Sequence, residues 1–287
     1  MRLRSVLDRV EAMTVLDRPA ALLLKGLNTV LREPVRKVLQ GVWLGHPLHP
    51  VLVQVPIGAW LGAALLDAAK ADRRSSTMLV ATGCVGAVPA AAAGLTDWTS
   101  LSREQHRVGL VHSAANSIGL GFYVGSLTAR MMGNHRLGRR LSFIGLAFVG
   151  VGGYIGGHLS YRQDAGVNQA APFLRQIPEE WHDLCELDAL SPGRATVARI
   201  GEVPVLVALT GEDGGDVVAM IERCGHETGP LGEGEFTRID GADCVVCPWH
   251  GSTFRLVDGV PVSGPAASTQ PHLRTRVVEG RVQATVP

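Results

Sequence analysis

Two short stretches constrain this chain more than anything else in it: Cys224-Gly225-His226 and Cys247-Pro248-Trp249-His250-Gly251-Ser252. Each offers one thiolate and one imidazole, in the same order, and residues 227–246 separate them. Such donors suit transition metals, and the set admits two readings. Four ligands of this kind can close on one tetrahedral zinc ion. They can also divide between two irons of a [2Fe–2S] cluster, thiolates on one and imidazoles on the other. Cys224 and His226 are tighter than the usual Cys-x₂₋₄-Cys zinc knuckle and unlike the His-x₃₋₅-His of a finger helix. The spacing favours two hairpin tips, each giving one ligand to each iron.

At these residues the chain resembles the Rieske iron–sulfur family. The match runs through Cys224-Gly225-His226, Gly229-Pro230-Leu231, Cys247 to Ser252 with Phe254, and Gly264-Pro265-Ala266, across roughly residues 183–287. The resemblance implies an all-β head whose [2Fe–2S] cluster is held by Cys224, His226, Cys247 and His250. It also implies a hydrogen bond from Ser252, a shielding loop at Pro265, and single-electron transfer. Two departures stand out. Respiratory members of the family carry an extra cysteine pair as a disulfide, and here those places hold Gly229 and Trp249. A tyrosine of that branch is replaced by Phe254. Hydrogen bonds to cluster sulfur raise the potential, so one missing donor implies a potential low in the Rieske range.

Only 18% of the 287 residues are charged, and the mean hydropathy is +0.17, so part of the chain is expected in lipid. The charge is divided unevenly. From Asp183 onward there are 8 Arg, no Lys and 15 acidic residues, whereas the remainder carries 19 basic against 11 acidic. An acidic redox head on a basic base implies a redox partner with a basic docking face, the charges acting mainly in steering. Nothing points to nucleic acid. Five cysteines leave three outside the cluster, no even disulfide framework, which fits a reducing compartment.

Residues 1–45 hold 8 basic and 4 acidic residues. Val6, Val10, Met13 and Leu16 recur at helical spacing, so this segment reads as amphipathic helix, on a lipid surface or packed on the rest. Apolar runs at residues 50–69, 78–95, 108–129 and 141–159 each approach the ~20 residues that cross a bilayer. Gly121/Gly125, Gly152/Gly156 and Gly153/Gly157 are spaced for close helix approach. A four-helix transmembrane bundle over residues 46–162, a linker over 163–182 and an all-β head over 183–287 follow. Gly45 to Pro50, Gly94 to Asp97, and Gly156 to Tyr161 resemble a bacterial family of four-helix membrane domains of unassigned function, over about residues 40–166. That resemblance adds shape, not chemistry.

With four crossings, His46, His49, Asp97, His106, His112 and His158 gather at the face that carries the head. Ionisable groups at membrane depth are costly and tend to be functional. His112 and His158 are candidate axial ligands of haem b, His46, His49 and Asp97 a candidate ion site, and a single His a candidate proton acceptor for a quinone. Polar capping and cross-bundle hydrogen bonds are the plain alternative. Basic residues near the N-terminus, with Arg103, Arg107 and Arg162, favour a cytoplasmic head in a bacterial inner membrane. Arg139-Arg140 before the fourth run somewhat resembles a twin-arginine stretch, which would argue for the opposite face.

In the head, residues 195–200, 203–209, 217–221, 243–246, 253–256, 274–278 and 282–286 read as strands, with turns at Gly201-Glu202, residues 211–215, Asp258-Gly259 and Gly280. The expected function is a membrane-tethered electron carrier. Alternatives are a subunit of a quinone oxidoreductase or oxygenase system, or a cluster-based redox sensor.

Overall fold

The computed structural model describes residues 3–211 and 215–287, which divide into two compact units. The first takes in residues up to Gln40 and Pro47–Ala165; the second takes in Gly41–His46 and Gly166–Pro287. Most of the expected 211–215 turn, residues 212–214, lies outside the described residues.

The first unit is helical: α1 (Leu3–Glu11), α2 (Asp17–Val30), α3 (Glu33–Leu39), α4 (His49–Leu52), α5 (Gln54–Ala68), α6 (Arg73–Trp98), α7 (Arg103–Met131) and α8 (His135–Tyr161). The starts of the three long helices, α6 to α8, are set by side chains that satisfy the free N–H groups of a first turn. Asp72 accepts from Arg74 and Ser75 for α6, Ser102 and Gln105 form a reciprocal capping box for α7, and Asn134 accepts from Leu137 for α8. The backbones of α7 and α8 touch at Gly119 and Gly145, where a Cβ on either would lie 3.0–3.1 Å from the other's carbonyl oxygen. The expected Gly121/Gly125 spacing is not the contact: Gly121 faces open space, and Gly125 meets only Leu141.

By length and composition, three helices among the described residues can cross a membrane: His49–Ala68, Arg73–Trp98 and His135–Tyr161. The expected span at 108–129 falls in α7, which is long enough but more polar. Five of its polar residues, His112, Asn116, Tyr123, Ser126 and Arg130, share one helix face, at gaps of four, seven, three and four residues. Tyr123 stacks on Trp60 with ring centres 4.1 Å apart. Arg130 is buried, ion-paired with Asp67, and bonded to Ser76 at 2.9 Å and Ser126 at 3.1 Å. At the other end of the bundle, α1 buries Leu7 and Val10 against Val108, Ile155 and Leu159. Arg107 pairs with Asp17 at 2.6 Å and Arg162 with Asp8 at 2.7 Å. The apolar face of α1 therefore packs on helices.

The second unit has a short helix, α9 (Ala171–Leu174), then β1 (His182–Glu186), β2 (Thr196–Ile200), β3 (Val203–Thr210), β4 (Asp216–Ile221), β5 (Glu235–Ile239), β6 (Ala242–Val246), β7 (Thr253–Arg255), β8 (Pro261–Ser263), β9 (His272–Val278) and β10 (Arg281–Thr285). Six strands form a sheet in the order β1-β10-β9-β4-β3-β2, and four form a second in the order β5-β6-β7-β8. Strand β3, between β4 and the edge strand β2, is buried on both faces, so its pattern is a continuous apolar run. Val203, Val205 and Val207 enter one core with Ile221 and Val282, while Leu206 and Ala208 enter the other with Met220, Leu231, Val245 and Phe254. Burying such a side chain fully contributes about 1.5–3 kcal/mol. The second core runs up to Cys224 and Cys247, so the packing that joins the sheets also fixes the thiols.

Candidate functional site

The two stretches first noted in the sequence are hairpin tips of one design. In the first, Cys224 N–H donates to Gly229 O at 2.9 Å and Thr228 N–H donates to Cys224 O at 2.8 Å. In the second, Cys247 N–H donates to Ser252 O at 2.8 Å and Gly251 N–H donates to Cys247 O at 3.0 Å. Each loop thus closes on its cysteine at the same two offsets. The fifth residue of each is left-handed, Thr228 at φ 57° and Gly251 at φ 72°. Glycine adopts that conformation freely, whereas a β-branched residue is strained by about 1–2 kcal/mol. Strain held at such a position is a mark of functional loops.

Burial sorts the donors. Cys224 and Cys247 are buried, His226 is half-buried and His250 is exposed. The thiols form a pair in which Cys224 donates to the Cys247 sulfur. That bond, together with burial, pushes Cys224 far above the usual thiol range. The bond received from Cys224, and the N–H groups of Trp249 and His250, draw Cys247 down to about 6. The imidazoles form a second pair, ring centres 5.0 Å apart at 82°. Metal–nitrogen bonds of about 2.1 Å, with roughly 1.2 Å from nitrogen to ring centre, put two imidazoles on one ion about 4.7–5.4 Å apart for angles of 90–110°. The rings fit that. Among the described residues, the group of three metal donors within 4.8 Å of one another is His226, Glu227 and His250, with no cysteine in it. A tetrahedral zinc site needs sulfur and nitrogen donors about 3.5 Å apart. Thiols and imidazoles held as two separate pairs match a two-metal group better than a single zinc.

Neighbouring loops support the tips. The Ser252 hydroxyl accepts from Ala266 N–H at 3.1 Å, leaving its own proton to donate. A Cβ on Gly264 would sit 2.6 Å from Gly251 O, so the Gly264-Pro265-Ala266 loop lies directly on the second tip. Gly229 lies where a Cβ would be 2.8 Å from Cys247 Sγ and 3.1 Å from Trp249 Cγ. The indole thus packs on the glycine at the place of the respiratory disulfide. Phe254 is fully buried in the same core as both cysteines.

Two supporting residues were not anticipated from sequence. Gln270, fully buried, accepts from Gly225 N–H at 2.8 Å and donates to Ile221 O at 2.6 Å and Arg223 O at 2.7 Å. Asn168 donates to Thr269 O at 2.9 Å, and its neighbour Gln169 donates through its backbone to Gly225 O. Asn ahead of Ala170-Ala171-Pro172 is a helix-start signal that marks Asn168. A buried Gln between strands has no such local signature.

The membrane histidines are arranged differently from the expectation. His158 Nε2 pairs with Glu11 at 2.7 Å, and His112 Nδ1 lies 2.8 Å from Gly152 O. The His112–His158 haem pair is not supported, because His158 is turned to α1. The His46, His49 and Asp97 set does not form a three-donor group among the described residues, and His49 Nδ1 is bonded to Ala90 O at 2.8 Å. The rings brought together are His49 and His112, with centres 6.3 Å apart.

Residues 45–169 match the family of predicted membrane proteins DUF2231, and residues 180–284 match the Rieske [2Fe-2S] domain. Ferredoxin CarAc of Metapseudomonas resinovorans is 31% identical over 103 residues, 36% of this chain and 90% of that protein. A Rieske domain-containing protein of Homo sapiens is 44% identical over 45 residues, 16% of this chain and 29% of that protein. The ferredoxin of carbazole 1,9a-dioxygenase from Nocardioides aromaticivorans IC177 aligns at 23% identity and a TM-score of 0.33, covering 37% of this chain and 98% of that structure. A [2Fe–2S] cluster is the group that such a domain carries, and the twin tips with their paired donors fit it. This chain belongs to the Rieske [2Fe–2S] family, with a ferredoxin-type domain joined to an N-terminal domain of the DUF2231 predicted membrane proteins.

Proposed function

We propose that this chain is a membrane-anchored carrier of single electrons, with Cys224 and Cys247 holding one iron and His226 and His250 the other. The observation that carries the reading is the pairing at the tips: two sulfurs together, and two imidazoles 5.0 Å apart. A [2Fe–2S] group bound there supplies a one-electron couple. The imidazole side, exposed at His250, meets a docking partner, while the buried thiol side keeps water off the sulfurs. Ser252 donates its remaining proton toward the cysteine side, and Trp249 covers Cys247 across Gly229. Both thiols give up their protons when metal binds.

The head runs over residues 183–287 and the bundle over residues 46–162. α7 is the fourth crossing, its polar stripe turned to its neighbours. An even number of crossings puts N-terminus and head on one face, and the basic N-terminal segment makes that face cytoplasmic, in a bacterial inner membrane. The acidic head is steered to a partner with a basic face. The membrane donor or acceptor is a quinone or a centre within the bundle.

The test is the full chain made with ample iron and sulfur and purified in detergent. It should hold two acid-labile sulfides per chain and give a Rieske EPR signal. His226→Ala should abolish that signal and leave the helical circular dichroism intact. One zinc per chain without sulfide, or a signal that survives the substitution, would sink the assignment.

A further inference from the structure

His49 and His112 meet inside the helical unit in a way that the cluster does not use. A backbone carbonyl oxygen can only accept. His49 Nδ1 therefore carries the proton that goes to Ala90 O, and His112 Nδ1 the proton that goes to Gly152 O, each at 2.8 Å. In both rings the second nitrogen, Nε2, then carries the lone pair. This is the tautomer, fixed by a carbonyl partner, in which imidazole binds metals. Nε2 of His112 lies 3.4 Å from the Asn116 amide nitrogen, a long contact beside the 2.9 Å bond this amide donates to His112 O, and a bound metal would replace it. The two rings and their partners come from four different helices. His49 opens α4 and leans on α6, where a Cβ at Gly94 would lie 2.8 Å from its ring. His112 on α7 leans on α8, where a Cβ at Gly156 would lie 3.0 Å from its ring. The small residues Ala90, Gly94, Gly152 and Gly156 let the imidazoles reach the interior.

The ring-centre separation bears on the kind of centre. With metal–nitrogen bonds of about 2.1 Å, two imidazoles on opposite sides of one ion have ring centres about 6.5 Å apart, against about 5 Å for ligands at a bent angle. His226 and His250, at 5.0 Å, fit the bent case. His49 and His112, at 6.3 Å and 84°, fit the straight one. Opposed nitrogen ligands suit a metal whose other positions are filled by a planar group, or a bare ion that takes two ligands in line.

We propose that His49 and His112 bind a second redox metal between their Nε2 atoms, as opposed ligands of one iron tetrapyrrole or of one bare copper ion. This assignment is independent of the cluster in the head. His158, bonded to Glu11, takes no part in it.

The test uses full-length protein from cells supplied with iron, copper and haem precursors, purified in detergent. A Soret band with split α and β bands on reduction, at one tetrapyrrole per chain, supports the iron form. One copper per chain without those bands supports the bare ion. His49→Ala and His112→Ala should each remove the centre, and His158→Ala should keep it. Helical circular dichroism and the detergent melt report in every case that the helical unit has folded. Should the alanine variants fail to fold, His112→Met gives the second reading: a thioether keeps the volume and still ligates, so the bands shift and the potential rises. Neither tetrapyrrole nor copper in the wild type, a centre that survives both alanine variants, or one lost in His158→Ala overturns the proposal.

Discussion

Gln270 offers the sharpest test of how the first tip is held. Replacing it with Met keeps the volume and removes three hydrogen bonds. It strands Gly225 N–H, Ile221 O and Arg223 O inside the protein. A buried group left unpaired costs about 1–3 kcal/mol, with carbonyls at the lower end because a second lone pair can find help. The three together cost about 3–5 kcal/mol, a large part of the ~5–15 kcal/mol that a domain has. The cost falls on residues 221–225, so the tip opens locally before the sheets do. Native-state hydrogen exchange of the peptide spanning residues 221–231 should accelerate about 100-fold for 3 kcal/mol, at ~1.4 kcal/mol per decade. Cluster content per chain should fall with it. Gln270→Glu sharpens the case. It keeps the acceptor for Gly225 but sets a carboxylate against two carbonyl oxygens, which raises its folded pKa above the unfolded one. A raised carboxyl pKa contributes stability that is present in acid and lost as pH rises through the folded value, so this variant should be tighter at pH 5 than at pH 8. Exchange in Gln270→Met within threefold of wild type would refute the clamp.

Other expectations can be checked separately. Arg130→Met leaves Asp67 charged and buried, and should destabilise the bundle by about 3–5 kcal/mol in detergent melts; pairing it with Asp67→Asn should recover most of that, and equal melts for all three would count against a coupled pair. Asp243 is held below the usual carboxylate range by Gly211 N–H and the Thr210 hydroxyl. Its contribution is present above the unfolded pKa near ~3.9 and lost as pH falls through the lower folded value. Asp243→Asn should therefore be less stable than wild type at pH 7, with the gap closing below about pH 4; a gap constant with pH contradicts this. Phe254→Tyr brings a hydroxyl donor into the core shared with the buried cysteines and should raise the potential of the centre in voltammetry, whereas an unchanged or lower value would refute the hydrogen-bond account.

What the sequence made legible was what is local. The four donors lie in two short loops, and most head strands announce themselves by β-branched runs between glycines. β1, β5 and β8 escaped because their half-exposed residues carry weak patterns, and β8 is only Pro261–Ser263. Gln270 escaped because its role depends on a backbone 45 residues away at Gly225. The histidines were recognised as a set, but not their partners. His158 turns to Glu11, 147 residues distant, and no spacing rule reaches that far. The expected glycine contacts failed in part because a Gly-x₃-Gly spacing shows that two glycines share a face, not which neighbour that face meets.

The polar stripe of α7 bears on how such a helix is made. Taken alone, its His, Asn, Tyr, Ser and Arg side chains would have to be stripped of water before any neighbour could receive their hydrogen bonds. On the proposal that α7 is the fourth crossing, integration by itself is unfavourable, and α7 becomes fit for lipid only as α5, α6 and α8 close around it. Assembly of the bundle and burial of α7 are then one cooperative event, and a truncation that ends the chain after α7 should be left outside the bilayer or handed to quality control.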